Sequence, residues 1–262
     1  MKKSPSLKIT PVHLRLDHIQ NYSVVTLNRP QVKNAFDPDM IAELTSVFNF
    51  LGLRKETDFI LLKGEGSVFC AGADLTWMKK MISYTKAENK KDSEKMWTMF
   101  ETLKNCPKPI VAKVHGAVMG GGLGLIACAD YVYAEDNTQF CFSEVKLGLA
   151  PAVISSFILR KVSFAFAQPL MIAGTLFSAD QSLTMGLVQK KYSGEISNDD
   201  VLKPFLQAGP QAMIATKKLL AQLNYDSQWL KKKALTTSLI SALRVSPEAQ
   251  NRISAFLDKS SK

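Results

Sequence analysis

The chain has 262 residues, of which 46% are hydrophobic, and carries a formal net charge of +10 at pH 7. This length and composition suit one folded core with an appendage and exclude a disordered chain. No apolar run follows the basic residues at the start and none reaches transmembrane length, so neither a secretory signal nor a membrane protein is predicted. The four cysteines lack Cys-x-x-Cys spacing and lie in apolar runs, which predicts reduced thiols, no metal site and a cytoplasmic location. A short matrix-targeting role remains the alternative location.

The positive charge is spread over two lysine-rich segments, 79–95 and 217–233. Acidic residues interrupt the first segment, and no aromatic ladder or nucleic-acid motif accompanies either one. We therefore expect no nucleic-acid partner. A basic rim suits a phosphorylated, polyanionic small molecule instead.

The first hundred residues alternate between strand and helix patterns. Residues 12–16 and 22–27 are apolar or alternating, with a polar turn between them, which predicts a β-hairpin. Asp37 and Pro38 begin a helix, because an N-cap followed by proline favours that start. A short buried strand is predicted over 59–64, followed by one long helix from Asp74 to about Asn105.

The alternation continues through the middle of the chain. Prolines end the long helix, and 110–114 is the next predicted strand. Residues 123–129 are apolar on all sides and predict a buried helix, which is followed by strands over 131–134 and 138–142. Strands that alternate with helices in this way indicate a layered α/β fold.

The last quarter of the chain has helical patterns only. We divide the chain into a core, 1–198, and a helical C-terminal region, 199–262. The second region carries more apolar positions at helical spacing than a lone appendage needs, so part of it should bury against other subunits.

Two glycine-containing segments, 69–74 and 115–122, suggest the chemistry. Each ends an apolar run and leads into a predicted helix, so each offers backbone N–H groups at a helix start. Two such starts that face each other would hold one carbonyl oxygen. Donors fixed where negative charge develops are what an enolate or another oxyanion requires.

Several motifs in a fixed order identify the chain as similar to the crotonase superfamily, the enoyl-CoA hydratase/isomerase family. The matching residues are Leu27 to Pro30 with Asn34 and Ala35, Phe69 to Leu75, Gly120 to Gly122, Cys128 to Asp130, and Phe140 to Gly148. The resemblance implies a crotonase-type spiral of ββα units followed by a helical oligomerisation region. It also implies an acyl-CoA thioester as substrate, no permanently bound cofactor, and a homotrimer or dimer of trimers.

The resemblance assigns the oxyanion site and one catalytic side chain. It places the thioester oxygen between the backbone N–H groups of Ala73 and Gly121. Glu144 matches the family's second catalytic glutamate, which exchanges the proton at C2. A carboxylate in apolar company would also have a raised pKa and could shuttle a proton. The alternative for Glu144 is a surface glutamate beside Lys146.

Other residues are expected around the substrate. The set for coenzyme A and the acyl group is Lys33, Asn34, Ala35, Ala71, Asp74, Gly120, Gly124, Phe256 and Lys259. Asn34 has an equally good alternative as a turn residue, and Asp74 is a better helix N-cap than catalytic acid. We expect Phe256 to lie near a neighbouring subunit's nucleotide site. His115 is expected to be structural.

Two departures from the family pattern limit what the resemblance implies. Gly124 occupies the position at which hydratases usually carry their first glutamate, so the two-carboxylate water clamp is incomplete. In this region the chain resembles bacterial methylglutaconyl-CoA hydratase-like members, and family isomerases also work with a single glutamate. Many relatives have a glycine-rich stretch where this chain has residues 150–156, which include bulkier β-branched side chains. The acyl pocket should therefore differ from that of these relatives.

Three hypotheses follow. The first is a hydratase of a branched or substituted 2-enoyl-CoA, with water held by a group that the sequence does not identify. The second is a Δ3,Δ2-enoyl-CoA isomerase in which Glu144 alone moves the proton. The third is a non-catalytic acyl-CoA-binding relative.

Overall fold

The computed structural model describes residue 7 and residues 9–194, 196–224 and 227–260. Its strands, in chain order, are β1 (Leu14–Ile19), β2 (Tyr22–Leu27), β3 (Phe59–Gly64), β4 (Ile110–Val114), β5 (Ala117–Met119), β6 (Tyr131–Glu135), β7 (Gln139–Cys141), β8 (Phe177–Ser178) and β9 (Lys190–Tyr192). The helices are α1 (Pro38–Leu53), α2 (Leu75–Met81), α3 (Lys86–Lys104), α4 (Gly121–Cys128), α5 (Ala152–Ile158), α6 (Phe164–Ala173), α7 (Ala179–Thr184), α8 (Asn198–Leu206), α9 (Pro210–Leu223), α10 (Trp229–Arg244) and α11 (Pro247–Ser260).

The strands form two sheets. The larger sheet has the order β1-β2-β3-β4-β6-β9, in which only the β1–β2 hairpin is antiparallel. The smaller sheet has the order β5-β7-β8. Hence the predicted hairpin, the strands at 59–64 and 110–114, and the α/β fold class are confirmed.

The central strands of the large sheet are covered on both faces. In β2, Val25 and Leu27 face the main core, whereas Tyr22 and Val24 belong to a second cluster with Val201. Every residue of β2 is therefore buried. A strand that is covered on both sides explains an apolar run in place of a strict alternation.

The single long helix predicted from Asp74 to Asn105 is wrong. The structure ends α2 at Met81 and begins α3 at Lys86. Thr85 accepts a hydrogen bond from the backbone N–H of Glu88, whose carboxylate accepts one from the Thr85 N–H. This capping box starts a new helix and explains the break.

The C-terminal helices help to build the core. Helix α10 packs against α3 and α5, while α11 packs against α2 and the 3₁₀ turn Ser143–Leu147. The indole N–H of Trp229 donates to Glu101 of α3 at 2.7 Å. The division at residue 198 stays an interpretation, since these helices also enclose the site described below.

In the part of the chain that the structure describes, no helix is long and apolar enough to cross a membrane.

Candidate active site

A cavity of about 960 Å³ lies between the two glycine-containing segments, the turn Ser143–Leu147 and the helices α10 and α11. Its lining includes the proposed oxyanion residues and the proposed acid-base residue, Ala73, Gly121 and Glu144. Segments that are far apart in the sequence therefore meet at one site.

The backbone N–H of Ala73 points away from Phe36, the residue to which its neighbours Gly72 and Asp74 are hydrogen-bonded. Phe36 donates to the Gly72 carbonyl at 2.7 Å, and its own carbonyl accepts from Asp74 at 2.8 Å. Since backbone groups alternate in direction along extended chain, the N–H between them turns to the other side. Among the described residues it has no acceptor.

The N–H of Gly121 has no acceptor among the described residues, because it begins α4. The first N–H groups of a helix have no partner within the helix, and no side chain caps this one. The preceding Gly120 has φ of +47°, and a Cβ on Gly121 would lie 2.9 Å from the Phe36 ring. Glycine is required at both positions, which leaves the backbone open to a ligand.

The carboxyl group of Glu144 lies against this helix start. A Cβ on Gly120 would be only 3.3 Å from Glu144 Oε1. The other oxygen, Oε2, is buried and makes no hydrogen bond to any described residue. Burial raises the pKa of Glu144 to about 7, although its own backbone N–H opposes the shift. A group with this pKa can both accept and donate a proton near neutrality.

Lys146 does not neutralise this carboxyl group. Lys146 is an exposed residue, and its Nζ lies 4.0 Å from Cys141 Sγ. The arrangement differs from the alternative of a surface glutamate paired with its neighbouring lysine.

Most of the expected substrate-binding residues line the cavity. They are Lys33, Ala35, Ala71, Asp74, Gly120, Phe256 and Lys259. The structure thus places Phe256 at the cavity of its own chain. Its expected contact with a neighbouring subunit's site stays a prediction.

Asn34 does not line the cavity. Its side chain is fully buried, accepts from the Arg29 N–H at 2.9 Å, and donates to the carbonyls of Glu65 at 2.8 Å and Val68 at 2.9 Å. The side chain therefore ties two loops together beneath the site, which is the structural alternative given above.

Asp74 is engaged in the fold as an N-cap. Its Oδ1 accepts from the N–H groups of Thr76 and Trp77, and its Oδ2 pairs with Arg29 at 3.0 Å. Arg29 also pairs with Asp37 at 3.0 Å. This buried network fixes the loop that carries Ala73.

Gly124 lies outside the cavity lining, and its surroundings are filled. A Cβ there would be 2.5 Å from Phe100 Cζ and 2.9 Å from Ile154 Cγ2. A glutamate would not fit without repacking. The second carboxylate of a water clamp is thus excluded by packing as well as by sequence.

His115 also lies outside the cavity lining. Its Nε2 lies within hydrogen-bond distance, 2.8 Å, of the Gly66 carbonyl oxygen. Among the described residues, no group of three His, Cys, Asp or Glu side chains could hold a metal ion.

Sequence reasoning missed part of the cavity lining. Five lining residues that sequence reasoning did not assign to the site are Met78, Met81, Met96, Ile240 and Arg244. The methionines occupy apolar positions of α2 and α3, a pattern that ordinary core residues share. Arg244 stands in the last turn of α10, where a basic residue is common, so it carried no signal.

Comparisons with known proteins show the family and the fold of the chain. The family described as enoyl-CoA hydratase/isomerase matches residues 18–261. The crystal structure of an enoyl-CoA hydratase from Shewanella pealeana is similar, with 33% identity and a TM-score of 0.77, over 95% of this chain and 94% of that one. The likeness supports the ββα spiral expected from the motifs.

Two curated relatives carry different activities in their names. A Thermus thermophilus protein that is provisionally named an enoyl-CoA hydratase is 31% identical over 168 residues, which span 64% of this chain and 66% of that protein. The trans-2-decenoyl-[acyl-carrier-protein] isomerase of Streptococcus mutans is 26% identical over 90% of this chain and 92% of that one. Hydration and isomerisation thus both occur among the names of similar proteins. The chain belongs to the enoyl-CoA hydratase/isomerase family of the crotonase superfamily and is an enzyme of that family, a lyase or an isomerase.

Proposed function

We propose that the protein hydrates a branched or otherwise substituted 2-enoyl-CoA, with Glu144 as the only carboxyl group that moves protons. The observation that carries this proposal is the buried Glu144 carboxyl group, whose Oε2 has no hydrogen-bond partner among the described residues, close to the start of α4. Family membership supports a CoA thioester as the substrate.

The backbone N–H groups of Ala73 and Gly121 would bind the thioester oxygen. Negative charge grows on this oxygen when a nucleophile adds at C3, and donors fixed beforehand stabilise it without reorganisation. Removing one such donor typically costs about 3 kcal/mol of transition-state stabilisation.

A single carboxyl group can complete the addition of water in two proton transfers. Ionised Glu144 accepts a proton from water while the water oxygen bonds to C3 and the thioester becomes an enolate. The same proton then passes from Glu144 to C2, so one water is added and the carboxylate is restored. A pKa near 7 serves both transfers, because neither protonation state is strongly favoured.

Δ3,Δ2-enoyl-CoA isomerisation is the second candidate, and the filled space around Gly124 favours it. Isomerisation needs no water. Glu144 would take a proton from C2 and return it to C4 while the same N–H groups hold the enolate oxygen.

One experiment separates these reactions. The purified protein is incubated with matched 2-enoyl-CoA and 3-enoyl-CoA esters, straight and branched, and the products are identified by mass spectrometry and NMR. A hydratase adds the mass of water to the 2-enoyl ester, and we expect faster addition to the branched ester. An isomerase instead converts the 3-enoyl ester without a change in mass.

The E144Q variant is the control, since it keeps the shape and removes the titrating group. Turnover that persists in E144Q would remove Glu144 from the proposal. Esters left unchanged by the wild-type protein would favour the acyl-CoA-binding alternative.

The cytoplasmic location also stays a prediction, based on four cysteines that are all buried and free.

A further inference from the structure

The proposed hydration needs a group that holds the attacking water together with Glu144. A carboxylate oxygen accepts one of the two O–H groups of a water, so a second acceptor is required to fix the direction of the water oxygen. The position of Gly124 carries no such group, and the space around it is filled by Phe100 and Ile154. The second acceptor must therefore come from another part of the cavity lining.

Ser143 has the required position. It precedes Glu144 in the chain, lines the cavity and is half-buried. A Cβ on Gly120 would lie 3.6 Å from Ser143 Oγ and 3.3 Å from Glu144 Oε1, so the two oxygen atoms lie near the same point at the start of α4. The hydroxyl group of Ser143 makes no hydrogen bond to a residue that the structure describes.

Backbone hydrogen bonds hold these side chains against α4. The strands β5 and β7 are paired, and just beyond them the N–H of Gly120 donates to the Cys141 carbonyl at 3.0 Å. The N–H of Leu149 donates to the Glu144 carbonyl at 3.1 Å and closes the turn that carries both side chains. The hydroxyl group and the carboxyl group therefore belong to one fixed segment.

Three other polar side chains of the cavity lining are engaged elsewhere. Both carboxylate oxygens of Asp74 are bonded within the loop network described above. The guanidinium carbon of Arg244 lies 5.8 Å from the centre of an indole ring, and Lys146 Nζ lies 4.0 Å from Cys141 Sγ. Ser143 differs from these residues, because its oxygen lies beside the Glu144 carboxyl group and has no other described partner.

We propose that Ser143 holds the attacking water, with its Oγ accepting a hydrogen bond from one O–H of the water while Glu144 takes the proton of the other. This inference rests on the proposed function and names the group that its water requires. Hydrogen bonds of about 2.8 Å to two oxygens near one point fit a single water. The water oxygen then bonds to C3, and the proton on Glu144 passes to C2. Ser143 neither gains nor loses a proton.

The S143A variant separates the holding of water from the proton chemistry. Two rates are measured: hydration of a 2-enoyl-CoA ester, and exchange of the C2 protons of the matching saturated ester in deuterated water. Exchange requires Glu144 and the oxyanion site but no attack at C3. We expect S143A to lower kcat for hydration by about 10- to 100-fold, because a small misplacement of a reactant can cost about 10²-fold. KM and the exchange rate should hardly change, and S143T, which keeps the hydroxyl group, should restore most of the hydration.

S155A is the matched control. Ser155 is half-buried like Ser143, but it lies outside the cavity lining and donates to the Ala152 carbonyl at 2.7 Å. The same loss of a hydroxyl group there should leave the rates of hydration and exchange at their wild-type values.

A binding measurement tests the site without turnover. The hydroxyl group of a 3-hydroxyacyl-CoA marks the position that the water oxygen occupies after addition. Calorimetry compares butyryl-CoA with both enantiomers of 3-hydroxybutyryl-CoA in E144Q and in E144Q/S143A. We expect one enantiomer to bind E144Q about 3- to 10-fold more tightly than butyryl-CoA, the range for one hydrogen bond, and the double variant to lose this preference.

Hydration by S143A at the wild-type rate would overturn the inference. An equal fall in hydration and exchange would also overturn it, because Ser143 would then act only on the shape of the site. The same holds if E144Q shows no preference for either 3-hydroxy ester, or if the preference survives in E144Q/S143A. A wild-type protein that hydrates no ester would contradict the proposed function, and the calorimetric comparison would still decide whether Ser143 binds an oxygen at C3.

Discussion

Glu144 combines two properties that are rarely found together in a side chain that serves only stability. Its carboxyl group is buried, without a cationic partner among the residues that the structure describes, and it lies beside the uncapped start of α4. Perturbed titration in a cavity is characteristic of functional sites. At this position, desolvation raises the pKa of the acid-base group, and the start of a helix supplies the donor for an oxyanion.

We expect E144Q to lower turnover by at least about 100-fold, since general acid-base catalysis contributes 10²–10⁴-fold. Affinity for coenzyme A should hardly change, because the substitution lies at the acyl end of the site. Steady-state kinetics and calorimetry measure the two effects. The control is E94Q, the same chemical change on α3 outside the cavity lining, which should keep wild-type turnover.

The same residue should make stability depend on pH. Its folded pKa of about 7 lies above the ordinary value of 4.5, so folding favours the protonated form. The resulting stabilisation is complete below about pH 4.5 and is lost as pH rises through 7. Relative to E144Q, the wild-type protein should lose about 2.5 kcal/mol between pH 5 and pH 9, since one pKa unit corresponds to 1.36 kcal/mol. Urea unfolding of both proteins measures this difference. If the free energy of unfolding changes with pH in the same way in both, the raised pKa of Glu144 is contradicted.

Sequence patterns identified Glu144 because it stands in a contiguous motif. Arg244 lies a hundred residues away in a helix with ordinary composition, and only packing brings it to the cavity. Asn34 lies in a motif but points beneath the site. The motifs thus indicated which segments form the site, whereas the direction in which each side chain points could be seen only in the folded structure.

At the scale of elements, α4 is the helix on which the site depends. Its start supplies the N–H of Gly121, and its next turn packs Gly124 against Phe100 of α3 and Ile154 of α5. Close packing here holds the helix start against the cavity. It also leaves no space for a second acidic side chain.

G124A should therefore destabilise the protein. Alanine favours a helix interior over glycine by about 1 kcal/mol. The added methyl group would overlap two buried side chains, and overpacking costs about 1–3 kcal/mol. We expect a net loss of about 1 kcal/mol in urea unfolding.

The double variant G124A/F100L is the control for this packing. Leucine removes ring atoms that lie near the new methyl group, so the cost of G124A should shrink in that background. A G124A protein that is more stable than the wild type would show that the space is open, which would restore the possibility of a second acidic group.

Elements with strong local patterns could be predicted from the sequence. The buried strands β3 and β4 follow their apolar runs, and α1 begins at its Asp37 cap as expected. The break between α2 and α3 was missed because the amphipathic pattern continues across it. There a local capping box at Thr85 outweighs the periodicity.

At the scale of the whole molecule, the C-terminal region exposes apolar side chains that a monomer would leave in water. Large exposed residues on α9 and α10 are Leu219, Leu220, Leu223, Leu230, Leu235 and Leu239. Exposed apolar side chains in such number are typical of an interaction site when they lie together. The homotrimer or dimer of trimers expected from the sequence would cover it.

We expect light scattering at micromolar concentration to give three or six times the chain mass of 29.0 kDa. L223D should shift the protein toward smaller species, because a charge would be buried at the interface. L53D is the matched control, since Leu53 is similarly exposed on α1, at 71% against 75% for Leu223. A wild-type protein that stays monomeric would refute the assembly.

The most direct test of the account is deuterium incorporation at C2 during turnover in deuterated water, followed by NMR for the wild-type protein and E144Q. If Glu144 exchanges its proton with solvent and passes it to C2, the wild-type product of hydration carries one deuterium at that carbon, and E144Q forms this product at least about 100-fold more slowly. Deuterium at C2 that appears at the wild-type rate in E144Q would contradict the central claim.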